Sequence, residues 1–370
     1  MKAQCGREAL VEAWGLVSGA VPYRSPRPVL QNIKMVASPD GSHLMALDLE
    51  VGVTVRMLGC EVEESGVCLL PQTFGRIIQA NDDAELSIET VETGVDVAGH
   101  HSHWTLPSED PSLFPDVPTF DPTAWMSVAA VDLRRLIVRT VFATDVESTR
   151  YALGGCLVER TDDTMAFVGT DGRRLARQVV VAEHHGADEP VTSQMVVPSR
   201  TLKLLLKHLD GTGNVRMALQ GNSSVLFDTG QATLYSRLVE GRYPNFQSVI
   251  PADHKVAIPL EVGPLKAAVQ QAGIVTSEES RGVDFTFGSG SLRLSSQSAD
   301  RGKSIVEIPI PYDGEPILVT MDPQYLVDAL KPLDDGDELA CRLTDAKNAV
   351  VLASEALGWI YVLMPLTRDR

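Results

Sequence analysis

Sequence signatures of catalysis are missing from this 370-residue chain. It has no Walker A loop, no G-x-G-x-x-G opening a helix, no G-x-S-x-G and no H-E-x-x-H, so the usual marks of nucleotide hydrolysis, dinucleotide redox chemistry, serine hydrolysis and zinc proteolysis are absent. No apolar run approaches the roughly 18 residues of a membrane span, and the opening "MKAQCGREALVEAW" lacks the apolar centre of a secretion signal. The expected compartment is the cytoplasm. Cysteine is scarce: Cys5, Cys60, Cys68, Cys156 and Cys341 are scattered, odd in number and free of C-x-x-C spacing. That pattern reads as reduced, mostly buried thiols. Positive charge is also short, with 32 Lys and Arg against 49 Asp and Glu and a formal net charge of −17. Nucleic-acid binding through released counterions then requires the cations to be segregated onto one surface.

What remains is an ordinary globular composition, 44% apolar and 22% charged, in a chain long enough for two or three domains. Most of it alternates short β-rich runs with turn residues. "MAFVGTDGRRLARQVVVAE", "SVLFDTGQATLYSRLV" and "VDFTFGSGSLRLSS" each read as strand, Gly-containing turn, strand. Helical period interrupts this background in two interleaved triplets. One comprises apolar stripes Phe74–Ile77–Ile78, Leu202–Leu205–Leu206–Leu209 and Leu326–Ala329–Leu330–Leu333, each behind a proline (Pro71, Pro198, Pro323). The other comprises Leu10–Ala13–Trp14–Val17, Leu133–Leu136–Ile137 and Leu265–Ala268–Val269. Two triplets in the same order, at nearly equal intervals, imply an α+β protein of three tandem copies of one domain. The Pro-containing junctions "FPDVPTFDP" and "SVIPADHK" place the copies at 1–122, 123–252 and 253–370.

At 100° per residue, Arg134, Arg135 and Arg139 fall opposite the Leu133 stripe, and Arg200, Lys203, Lys207 and His208 lie away from the leucines of theirs. Arg76, Lys266 and Lys331 add single cations to three other helices, whereas Glu8 and Glu12 offset Arg7 on the first. The acids gather elsewhere, in "EVEESG", "SEDPSLFPD", "AEHHGADEP" and "LDDGDE". A basic helical surface inside an acidic shell is the arrangement that the net charge left open.

Two places invite a site reading. In "GHHSHW", His101 and His103 alternate onto one strand face, but no Cys or acid stands at zinc-ligand spacing, so no metal is expected. "VGTDGRRLARQ" is open to three readings: Asp171 as a catalytic carboxylate, Gly169 and Gly172 as a phosphate cradle, or Asp171-Gly172 as a hairpin turn. An apolar strand enters and another leaves, and nothing near Asp171 in sequence supplies the second titratable group that a carboxylate-dependent hydrolase needs. The turn is the reading that composition favours.

"VGTDGRRLA" is also similar to the T-D-G-x-R-L-A pattern of the bacterial DNA polymerase III β subunit family, the sliding clamps. "LVEGRYPNFQSVIP" (238–251) and the terminal "YVLMPLTRDR" resemble two further patterns of that family, and "PVLQNIKM", "LDLEVGV" and "RYALGG" fit as well. The resemblance implies three clamp domains per chain, each with two helices and two β-sheets, and two chains closing head-to-tail into a ring. It implies no catalysis and no cofactor. The implied partners are double-stranded DNA, held without regard to sequence, the polymerase III catalytic subunit, the clamp loader and other proteins carrying a clamp-binding motif. Within the same fold, a divergent paralogue with altered partners or a weaker ring is the alternative.

Carried over residue by residue, the family's partner-peptide groove falls on Leu153, Thr170, Gly172, Arg173, Arg174, Leu175, Pro244, Val249, Val362, Met364, Pro365 and Leu366. Two positions depart from the pattern: Ser248 where a long basic residue is frequent, and Arg173 where His or another polar residue is commoner. For DNA, Arg24 matches a contacting position and Arg150 and Arg200 are its neighbours, although Glu147 stands where a neutral residue is common. The ring interface implied by the family sets Trp104 against Ile274 and Val275, with His101 and His103 in place of frequent arginines.

Overall fold

The computed structural model describes residues 1–145, 147, 152–161, 163–186, 195–277 and 281–366. Among these residues six α-helices form: α1 Arg7–Val17, α2 Gln72–Ala80, α3 Ala130–Val138, α4 Ser199–Leu205, α5 Val262–Gly273 and α6 Pro323–Leu330. They lie where the apolar stripes predict, and stripe residues such as Leu10, Trp14, Phe74, Ile78, Leu133, Ile137, Leu265 and Leu326 are buried. One stripe deviates: α4 ends at Leu205 and the chain continues as a 3₁₀ turn, Leu206–His208. Three residues per turn rotate the chain from there, so Leu206 stays half-buried, while Leu202, Leu205 and Leu209 of the stripe are buried.

All strand pairing between the described elements is antiparallel, and the chain divides into two compact units. The first comprises Met1–Val131, Glu183–Ser193 and Arg200–Leu238, and holds a five-stranded and a nine-stranded sheet. The second comprises Asp132–Ala182, Gln194–Ser199 and Val239–Arg370, with an eight-stranded and a four-stranded sheet. The three hairpins read from the sequence are present, with Gly172, Gly230 and Gly290 of their turns at φ 85°, 83° and 75°, a region that costs other residues a steric clash.

Both large sheets are built from two thirds of the chain. In the nine-stranded sheet, strand Ala232–Arg237 pairs with strand Val51–Met57, Leu234 opposite Val53. In the eight-stranded sheet, strand Arg174–Val181 pairs with strand Trp359–Leu363, Leu175 opposite Val362. The middle third therefore contributes to both units. α1 packs against α2 and α5 against α6; in the first pair Trp14 lies on Phe74 with ring centroids 5.2 Å apart. Gly75 makes that approach possible, since a Cβ there would lie 2.2 Å from the Trp14 indole nitrogen.

One expectation is corrected. Cys5 and Cys60 stand directly opposite each other on neighbouring strands Lys2–Gly6 and Cys60–Glu64 and are joined by a disulfide. The pairing links positions 55 residues apart, which no local spacing could announce. Cys68, Cys156 and Cys341 take no part in a disulfide and are buried, and burial pushes the Cys68 and Cys341 thiols up to about 12. Alkylation of denatured, unreduced protein is expected to label these three cysteines, and all five after reduction. Five labelled before reduction would show the Cys5–Cys60 pair to be a dithiol.

Candidate functional site

The hairpin that carries "TDGRRLA" is built around Asp171. Its Oδ1 accepts the backbone N–H of Arg173 at 2.9 Å and of Arg174 at 3.0 Å, and its Oδ2 accepts from Arg174 Nε at 3.0 Å. The Thr170 hydroxyl donates to the Arg174 carbonyl (2.7 Å) and accepts from Gly172 N–H (3.1 Å). Both carboxylate oxygens of Asp171 are thus spent on the turn. The structure answers the three-way reading: this Asp shapes backbone.

Arg174 carries the turn into the rest of the unit. Its Nη1 donates to Asp328 of α6 at 2.8 Å and its Nη2 to the Phe142 carbonyl at 2.8 Å. The guanidinium also lies over the rings of Tyr325 (4.3 Å to the centroid) and Phe142 (5.5 Å). Burial opposes its charge, yet the hydrogen bond to Asp328 and the surrounding negative groups outweigh burial and hold its pKa above the ordinary arginine value. On the other side of the turn, Met364 N–H donates to the Arg173 carbonyl at 3.0 Å, so the last strand closes over the hairpin.

Between these elements opens a cavity of about 120 Å³, room for one bulky apolar side chain. Its floor is Leu175 and Val362, both buried, which face each other across the ladder. Thr170, Gly172, Arg173 and Arg174 line it from the hairpin, Pro244 and Val249 from the segment that follows Tyr243, and Met364 from the last strand's end. Val249 and Met364 are large apolar side chains about half exposed. Nine of the twelve residues expected in the groove therefore meet there. Leu153 is instead buried in the core beneath, with Tyr243 and Phe246. Leu366 lines a separate cavity of about 850 Å³ beside Ile317 and Leu318, and Pro365 lies between the two. Asn245 and Phe246 also line the smaller pocket and were missed. Their place in "YPNFQSV", directly after Pro244, was the available signal. Tyr243 fixes this segment by donating its hydroxyl to the Val168 carbonyl at 2.8 Å.

The basic helical surface is thinner than the helical wheel implies. Arg134, Lys203 and Lys207 are exposed and free of ion pairs, as are Arg76 and Lys331, among the described residues. Arg24 is exposed beside Tyr23, itself 91% exposed. Arg135 pairs with Asp132 at 2.7 Å, Arg200 with Asp48 at 2.5 Å, and Lys266 with Asp335. Two residues do not belong to the solvent face at all. Arg139 directly follows α3 and keeps its helical register, its N–H donating to the Arg135 carbonyl at 3.1 Å, but it lies on the flank of the apolar stripe; it is buried, and its Nη1 donates to Gln178 Oε1 at 3.2 Å. His208 is in the 3₁₀ turn after α4, and burial pulls its pKa down to about 4, so it is neutral at pH 7. Arg150 lies outside the described residues; Glu147 is exposed.

Trp104 is half-buried on strand His103–Leu106, the edge of the five-stranded sheet, and in the second unit Ile274 is 72% exposed just past α5 with Val275 half-buried beside it. His103 Nε2 stands 3.2 Å from Asp96 Oδ2. No group of three potential metal ligands occurs among the described residues, and no described helix is long and apolar enough to cross a membrane.

Family models of the DNA polymerase III beta subunit match this chain in three pieces: the N-terminal domain over residues 1–118, the central domain over 127–245 and the C-terminal domain over 247–367. A beta sliding clamp of Proteus mirabilis is 28% identical over 370 residues, covering 99% of this chain and 100% of the relative. Among solved structures, a DNA polymerase sliding clamp from Bacillus subtilis superposes with a TM-score of 0.92 at 25% identity, covering 100% of this chain and 99% of the other. A Pseudomonas aeruginosa sliding clamp bound to griselimycin gives 0.91 at 27% identity, with both chains fully covered.

Arg174→Ala leaves Asp171 and Asp328 facing each other without their cation, and is expected to destabilise the protein by about 3 kcal/mol. Urea unfolding measures this. Arg174→Lys, which keeps the charge and loses the fork, should fall between. A loss below about 1 kcal/mol for the alanine variant would show that the turn holds without the ion pairs.

Proposed function

The chain belongs to the DNA polymerase III beta subunit family, and on that premise we propose how its surfaces divide the work of a sliding clamp. It is a DNA sliding clamp for DNA polymerase III, a non-catalytic processivity factor made of three clamp domains. The proposed domain limits are 1–122, 123–252 and 253–370, and the proposed working form, inside the cell, is a head-to-tail homodimeric ring around duplex DNA.

Arg24, Arg134, Lys203 and Lys207 offer charge to phosphates, with Arg135 and Arg200 beside them and shared with Asp132 and Asp48. Such contacts position a duplex and carry no sequence information. Arg139 is withdrawn from this set because its side chain is interior. Few unpaired cations mean weak affinity for open duplex, so retention depends on closure. Ring closure rests on Trp104 meeting Ile274 and Val275 of a second copy, a mainly apolar contact.

The observation that carries the partner reading is the small apolar pocket under the Asp171 hairpin, with Met364 and Val249 exposed at its mouth. An apolar pit with a few fixed polar groups suits the anchor of a short peptide from the polymerase catalytic subunit, the clamp loader or another clamp-binding protein.

Two measurements test this. Replacing both Met364 and Val249 by Ala removes contacts worth roughly 1–3 kcal/mol each. Polymerase stimulation should fall at least about tenfold while the fold persists, and Leu366→Ala should have a smaller effect. Unchanged stimulation in the double variant would place the partner site elsewhere.

For the ring, Trp104→Ala should give folded monomers that a loader cannot retain on circular DNA, while the parent persists until the circle is cut. Light scattering over a dilution series reads the first property. A parent protein that is already monomeric at micromolar concentration would favour the divergent-paralogue reading.

A further inference from the structure

Tyr23 is the most exposed large apolar side chain among the described residues, and we propose that its ring stacks on unpaired bases of single-stranded DNA while Arg24 and Arg27 hold the neighbouring phosphates. The inference rests on the reading that this chain works on DNA. A single apolar side chain at a surface needs no explanation of its own. Two features set this one apart, and the first is a fixed backbone. In "VPYRSPRP" (21–28), Pro22, Pro26 and Pro28 each lock their own φ. The Tyr23 carbonyl accepts from Gln31 Nε2 at 3.0 Å, and Ser25 Oγ accepts from the Arg27 N–H at 3.1 Å. The Arg27 carbonyl accepts from Leu30 N–H at 3.1 Å, where the 3₁₀ turn Pro28–Gln31 sends Val29 and Leu30 into the core. A ring held out in water from a chain pinned this way loses little freedom when a ligand covers it.

The second feature is charge. The guanidinium groups of Arg24 and Arg27 are exposed and form no ion pair or hydrogen bond among the described residues, and Arg24 lies 5.9 Å from the Tyr23 ring centroid. Residues 13–39 contain no Asp or Glu, in a chain that has 49 of them. Glu109, whose carboxylate reaches the base of the loop, is taken up by Asn32 Nδ2 at 3.1 Å. The loop is thus locally positive on a protein of net charge −17, and its occupant is an anion. An aromatic face between free cations is the chemistry that holds single-stranded nucleic acid, with bases on the ring and phosphates on the cations. In a duplex each base already stacks on its neighbours. The arginines can serve there, but the face of Tyr23 cannot.

The test uses the full-length protein and three fluorescent DNAs of one length: oligothymidine, an abasic sugar–phosphate strand of the same charge, and a duplex. In anisotropy titrations at low salt, oligothymidine should bind about fivefold tighter than the abasic strand, the low end for one base stacked on an aromatic ring. Tyr23→Ala should remove that difference and Tyr23→Trp should keep it, with unfolding curves unchanged because nearly all of the ring is in water. Arg24→Gln and Arg27→Gln should weaken binding of both strands alike. Equal binding of the two strands by the parent overturns the inference, and so does a difference that survives Tyr23→Ala. Failure to bind oligothymidine at about 0.1 mM protein, the weak end of sequence-independent affinity, overturns it as well. A loss of duplex affinity in Tyr23→Ala as large as the loss for oligothymidine would assign the ring to backbone contact and overturn the stacking. A parent that shows the stacking difference but is not retained on circular duplex after loading overturns the ring reading and leaves this inference standing.

Discussion

Arg174 is the residue on which the pocket under the Asp171 hairpin depends. Its guanidinium joins a hairpin turn (Asp171), the preceding segment (Phe142) and α6 (Asp328, Tyr325), three elements far apart in sequence that share no backbone pairing at that point. Enclosing a charge this far is costly, and two carboxylates and a carbonyl offset that cost by taking up its donors. The consequence is positional. With the turn held against α6, Thr170, Gly172 and Arg173 form one wall, and the adjoining strand sets Leu175 opposite Val362 as the floor. The same carboxylate that shapes the turn also leaves Arg173 as the rim's only exposed guanidinium among the pocket-lining residues.

Local patterns in the sequence carried most of the fold and stopped where structure becomes nonlocal. The helices and hairpins were legible because their apolar residues recur at 3.6 or 2 residues and their turns need Gly. Arg139 was misplaced for a definite reason: it keeps the helical register but sits on the flank of the Leu133 stripe, and a strand distant in sequence meets that flank through Gln178. His208 fails similarly, since the chain tightens into a 3₁₀ turn and brings that side chain inward. The Cys5–Cys60 pairing and the Arg174–Asp328 contact join residues 55 and 154 apart, and no spacing rule reaches that far.

Within the groove, family resemblance and geometry divide the work differently. Resemblance identified the hairpin and the last strand, while the structure separated surface from support. Leu153 holds the pocket up from within the core, and Leu366 belongs to a neighbouring cavity. Both are aliphatic residues near the right place. Sequence alone does not tell which side of a sheet's packing a leucine serves.

Identity of 25–28% beside TM-scores of 0.91–0.92 fits what this kind of protein must preserve. On the proposed reading, in which duplex is held through its phosphates, no particular register against bases is needed, so many arrangements of Lys and Arg serve equally. The sheets are less free. Both large sheets run from one third of the chain into the next, and a register shift in strand Ala232–Arg237 or Arg174–Val181 would turn apolar residues out of both cores at once. Topology is therefore held by packing, and the surface can drift. A rim position such as 173, exposed and without an ion pair or hydrogen bond among the described residues, is where the sequence can drift at no cost to the structure beneath it.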